Sequence, residues 1–158
     1  MDMDPLSVSA SIIAVLGLAG NIGLKIKRIV KDFKNVPPEL AEVRDEVKSL
    51  SWMLKRLEAL AEEERQANPG EPVFGPVQLD AAGRKTTDIE IALRSCTTVM
   101  KAMNRRLDVV QSCLHGGPFD KMKYSLSLST ERDELRDLRC RLERGKTAIL
   151  MSLQFRIL

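Results

Sequence analysis

Four groups of residues in this chain have types that could do chemistry, and each makes a definite demand on its surroundings. Gly17, Gly20 and Gly23, in "GLAGNIG", could cradle a phosphate. The dinucleotide fingerprint, however, is GxGxxG between a strand and a helix, whereas this run is GxxGxxG with no strand before it. "GKT" at Gly145 to Thr147 resembles the end of a Walker loop. That loop needs a glycine where Cys140 stands, and "RCRLERGKT" reads as a charged helix. His115, the only histidine, is the one good general base near neutral pH, but no nucleophile signature accompanies it. Cys96, Cys113 and Cys140 are odd in number and far apart, with no CxxC pair and no zinc-ligand spacing. They read as reduced, buried cysteines of an intracellular protein. The sequence therefore points to a non-enzyme without catalytic, cofactor-binding or metal-binding residues. Acid clusters such as "AEEER" read as a solvated helix face.

The elements that position these residues follow from periodicity. A chain of 158 residues with 44% hydrophobic and 30% charged residues suits one soluble globular domain spanning 1–158. Aromatics are only 4%, which favours helices over sheet. The net charge of +3 is too small to argue for nucleic acid, and no aromatic-plus-basic pattern supports it. Val8, Ile12, Val15, Ala19, Ile22, Ile26, Ile29 and Phe33 recur at helical spacing after an Asp4-Pro5 start. Leu40, Val43, Val47, Leu50, Leu54, Leu57 and Ala61 form a second stripe, beginning at Pro38 or Glu39. A third runs through Ile89, Leu93, Cys96, Met100, Met103, Leu107, Val110 and Leu114, with Thr86 or Thr87 as its cap. A fourth, through Leu135, Leu138, Leu142 and Ile149, is capped at Ser129 or Thr130. The expected fold is all-α, an antiparallel four-helix bundle with helices near 5–34, 38–66, 86–115 and 129–156. The Pro- and Gly-rich stretch 68–83 is a loop, and "FDKMKYSL" has room for an additional short helix before the last long one. No strand pattern competes.

The first helix carries more than the one apolar stripe that a soluble bundle needs. No charge stands between Pro5 and Leu24, a run that as a helix spans about 30 Å, close to the hydrocarbon thickness of a bilayer. Acids precede this run and bases follow it, the reverse of a signal peptide. Composition alone favours a buried central helix. The membrane alternative names Leu6, Val8, Ile12, Ile13, Val15, Leu16, Gly17, Gly20, Ile22, Gly23 and Leu24 as inserting residues. Lys25, Lys27, Arg28, Lys31 and Lys34 would then hold anionic headgroups, at about 1 kcal/mol each. The glycines suggest close helix packing or a helix built to rearrange. Trp52, Met53 and the tail "AILMSLQFRIL" are candidates for a partner-binding surface, with core burial the plainer alternative.

"MDPLSVSASIIAVLGLAGNIGLKIKRIVKD", read from Met3, resembles the opening of the HeLo-like N-terminal domain of fungal STAND, or NLR-like, proteins. The similarity continues through "ELAEVRDEVKSLSWMLKRLEAL", "FDKMKYSLS" and "LRCRLERGKTAILMSLQ". The resemblance implies a cytoplasmic cell-death effector or signalling domain in fungal innate immunity and heterokaryon incompatibility. It would be recruited to the membrane on activation. The partners it implies are anionic membrane lipids, further copies of itself, and a downstream or partner NLR oligomerisation domain. The alternative within the same family is a non-lytic homotypic interaction or adaptor bundle.

Overall fold

A computed structural model describes residues 6–32, 38–70, 78–79, 83, 85–114 and 118–157, with side chains over 8–32, 38–70, 83, 87–112 and 132–153. Its long elements are α1 (Leu6–Asp32), α2 (Pro38–Ala67), α3 (Asp88–Leu114) and α4 (Pro118–Ile157). The helices form a bundle, as the periodicity requires. Every member of the expected stripes that has a described side chain is buried, from Val8 to Ile29 on α1 and from Leu135 to Ile149 on α4. Phe33, Leu114 and the Asp4-Pro5 start lie outside the described side chains.

Polar contacts set the helix directions. On α2, Glu39, Glu42 and Glu46 meet Arg132, Arg139 and Lys146 of α4 in ascending order, so these two helices run parallel. Short connections make α1–α2 and α3–α4 antiparallel. With α1 antiparallel to α2 and α3 antiparallel to α4, α1 and α3 are parallel as well, and Lys25 meets Asp108 at 2.5 Å across them. The arrangement is a square in which α1 and α4 each touch both α2 and α3. The long 68–87 connection crosses from α2 to the diagonally placed α3.

Two expectations are corrected. The segment "FDKMKYSL" forms no separate short helix: α4 is one continuous helix of 40 residues from Pro118. Proline at a first helical position is favoured, and between Phe119 and Ile157 there is no further proline and one glycine, so nothing stops the helix before Ser129. The loop also holds a two-residue ribbon. Strand β1 (Gln78–Leu79) pairs antiparallel with β2 (Lys85–Thr86). Gly83, at φ 79°, allows the chain to turn back between them. Two residues per strand are too few for alternation to register in the sequence. Thr87 follows as the α3 cap, its buried hydroxyl accepting the Glu90 N–H at 3.2 Å.

The glycines divide into two kinds. Gly145 is buried on the α4 stripe, and a Cβ there would sit 2.7 Å from Cys96 Sγ on α3. The "GKT" glycine is thus where two helices approach closely. By contrast, a Cβ on Gly17, Gly20 or Gly23 would meet nothing within 4 Å. Of the two alternatives that these glycines offered, close packing is not met within this chain: Gly17 lies on the outward face, and Gly20 and Gly23 border open space beside α2. Urea unfolding should separate the two kinds. Gly145→Ala should destabilise by about 1–3 kcal/mol through overpacking, and adding Cys96→Ala should recover part of the loss. Gly17→Ala or Gly20→Ala should stabilise by up to about 1 kcal/mol each through helix propensity.

Candidate functional site

The α1 stripe and its basic end were the residues expected to matter, and the structure distributes them over several environments. Val8, Ile12, Val15 and Ile22 are wholly within the core. Leu16 and Gly23 are half-buried at its edge. Ile13 is 62% exposed and Leu24 54% exposed, with Gly17 and Gly20 open between them. The Leu6 side chain and Lys34 lie outside the described residues. Of the basic end, Lys25 is drawn into the α1–α3 seam by Asp108, while Lys27, Arg28 and Lys31 are exposed. The proposed inserting residues thus form two faces of one helix. One is locked in the core, and the other is an outward face without charge from Ala10 to Leu24.

Beside that outward face lies a groove between α1 and α2. Its floor is Ala19, Gly20 and Gly23, and Leu16, Leu24, Val30 and Trp52 form apolar walls. It comprises two adjoining hollows of about 670 and 420 Å³ that share Gly20, Gly23, Arg44 and Lys48. The groove exists because Gly20 and Gly23 leave α1 without side chains on the face that α2 flanks. Trp52 is 64% exposed, with the Arg56 guanidinium 5.0 Å from its ring centre. Lys27, Arg44, Lys48 and Lys55 line the groove, and no acid pairs with Lys27, Lys48 or Lys55 among the described residues.

The α4 side of α2 has the opposite character. Glu39, only 3% exposed, accepts from Arg132 Nε at 3.0 Å, Arg132 Nη2 at 2.9 Å and Arg136 Nη2 at 2.7 Å. The Arg132 hydrogen bonds hold its carboxyl below the usual carboxylate range, against the opposing effect of burial. Its place in the first turn of α2 adds a favourable helix-dipole interaction. Sequence reasoning missed this cluster, because 93 residues separate Glu39 from Arg132. It also missed Arg44, Lys48 and Lys55 as a unit. Their helical spacing was visible, but not which helix stands beside them.

The remaining chemical candidates have structural environments. Cys96 is buried, and burial pushes its thiol up to about 11. Cys140 is exposed, contrary to the expectation of buried cysteines, because it lies off the Leu138–Leu142 stripe. The Cys113 side chain and His115 lie outside the described residues. Among the described residues, no group of three or more His, Cys, Asp or Glu could hold a metal ion. Of the other exposed-surface candidates, Met53 is buried at 7% exposure, whereas Leu150 and Met151 of the tail are exposed.

Comparison with known families decides the affiliation. Residues 3–98 match the family described as pigment biosynthesis cluster protein PigL N-terminal. The chain belongs to this PigL N-terminal domain family. The match covers α1, α2, the connection and the first part of α3, and so includes the whole groove. It supports a fungal-type N-terminal helical domain of the HeLo-like kind, without the receptor context of the resemblance. No curated protein and no solved structure matches the chain.

Two measurements check the site as described. A carboxylate with a depressed folded pKa contributes stability above its unfolded pKa and loses it as pH falls through the folded one. The Glu39 contribution should therefore be complete near neutrality and fade below about pH 4.3. Glu39→Gln should cost about 1–3 kcal/mol at pH 7 and flatten the acid limb of a stability-versus-pH curve. Thiol labelling read by peptide mass should modify Cys140 in the native protein, and Cys96 only on unfolding.

Proposed function

We propose that this PigL N-terminal family domain is the cytoplasmic effector or signalling bundle of a fungal NLR-like immune receptor, recruited to anionic membranes through α1 when copies are brought together. One observation carries the reading: α1 is apolar on its core face and uncharged on its outward face as far as Leu24, with exposed cations directly after. The helix is long and apolar enough to cross a membrane from Val8 to Asp32, and only 33% of its most apolar window is buried. Core helices pass the same length test. What separates α1 from them is that its exposed part carries Ile13, Leu24 and glycines where a core helix carries charge.

Energetics make the resting state inert. Freeing α1 uncovers seven core side chains from Val8 to Ile29. At about 1.5–3 kcal/mol for each large one, the exposure costs on the order of 10–20 kcal/mol in water. Lipid covers the same side chains again, so the cost is a barrier rather than a net loss. Induced proximity at a membrane is the condition that lowers it. The non-lytic interaction bundle is the second reading, favoured by Trp52 standing exposed beside the groove.

The test uses exposed positions, so that loss of activity is not loss of fold. The domain fused to an inducible oligomeriser should release dye from vesicles containing anionic lipid, and only after induction. Ile13→Glu with Leu24→Glu should cut release at least tenfold while leaving the melting temperature within a few degrees. Replacing Lys27, Arg28 and Lys31 by Glu should abolish vesicle binding. Absence of both binding and leakage in the induced wild-type oligomer overturns the membrane reading.

A further inference from the structure

We propose that the α1–α2 groove is a docking site for an acidic amphipathic helix of a partner protein, which adds to the bundle as a further helix. Three observations, none of which needs the membrane reading, select this occupant. The groove is apolar along its floor and runs between two antiparallel helices, a shape that receives a helix through positions i, i+3, i+4 and i+7. Gly20 and Gly23 leave its floor open, so a helix backbone can come close. Its cations are distributed rather than gathered. From Arg44 through Lys48 to Lys55 they extend about 16 Å along α2.

That distribution decides between chemistries. A free phosphate reaches one end of such a row, and a bilayer surface meets the cations without following the concave apolar floor between them and α1. A helix bearing acids along both flanks of a small apolar stripe meets all of it. A second copy offering this same face would set cations against cations. The α2 helix is already used in this way on its other side, where its acids meet the bases of α4. The groove presents the complementary half of that pattern with no acid opposite Lys48 or Lys55.

Trp52 is the only tryptophan and lines the groove, so its emission reports occupancy directly. The probes are two 18-residue helical peptides sharing one Leu/Ala stripe, flanked by glutamates in one and lysines in the other. The full chain is titrated with each, and separately with vesicles containing anionic lipid. The glutamate peptide should shift Trp52 emission saturably and bind at least tenfold tighter than the lysine peptide. Gly20→Leu with Gly23→Leu fills the floor and should weaken binding at least tenfold while the helix content holds. Lys48→Glu with Lys55→Glu, both at exposed positions, should reverse the peptide preference. Equal binding to the filled and open grooves overturns the proposal in favour of simple charge adhesion. A Trp52 response to vesicles but not to the glutamate peptide makes this face a membrane surface instead, and overturns it too. So does a dimer, seen by sedimentation without peptide, in which Trp52 is already covered. Dye release by the oligomeriser fusion is a separate readout, so failure here leaves the membrane reading standing or falling on its own data.

Discussion

The structure depends on keeping one aliphatic row, Val8 to Ile29 of α1, out of water. A helix with three glycines and no charge before Lys25 has little intrinsic stability, so packing must hold it in place. The other helices supply that packing unequally. Against α3, α1 gains both apolar contact and the Lys25–Asp108 pair. Against α2 the core side is closed, but the outer seam is left open as a groove. The fold therefore covers half of α1 thoroughly and leaves the other half bare, without charge from Ala10 as far as Leu24.

α2 makes this arrangement possible, because its two edges carry opposite charge. Glu39, Glu42 and Glu46 tie it to α4 through Arg132, Arg139 and Lys146, and the buried Glu39 carboxylate takes three charge-assisted hydrogen bonds there. The arginines remain partly exposed, which limits the desolvation cost that a fully buried pair would carry. On the α1 edge, Arg44, Lys48 and Lys55 find no such partners in α1, whose nearest charge is another cation, Lys27. Arg44 has only Asp45 of its own helix, at 3.7 Å, and Lys48 and Lys55 have no acid paired with them among the described residues.

The core was readable from sequence because helical periodicity is local. Each α1, α2, α3 and α4 stripe residue is identified by its spacing from the last, and burial follows without knowing which helix lies opposite. What could not be read depends on the neighbour. Gly17, Gly20, Gly23 and Gly145 look alike in sequence, yet only the last meets a side chain, because only α3 approaches that closely. Ile12 and Ile13 were grouped as inserting residues although one faces the core and the other the solvent. Their separation needs the helix phase, which the stripe itself supplied but the uncharged run obscured. The α4 start at Pro118 was missed for a different reason. Ser129 and Thr130 have the residue types of a helix cap, but inside a helix such residues lower propensity without stopping it.

The outward glycines sharpen the functional argument. Each costs about 1 kcal/mol of helix stability relative to alanine, and in this chain none returns it through packing, since alanine would fit at all three. Ile13, Leu24 and Trp52, beside them, add exposed apolar surface that polar residues would have avoided. For an isolated bundle, every one of these choices is unfavourable. They become favourable together only when a second surface covers α1 and α2, because close approach over glycine, apolar contact at the walls and neutralised cations then act at once. A bundle whose sole task was to fold would lose nothing with alanine at 17, 20 and 23 and glutamate at 13. Those four positions are where the proposed readings, a partner helix or a bilayer against α1 and α2, differ physically from a bundle that only folds.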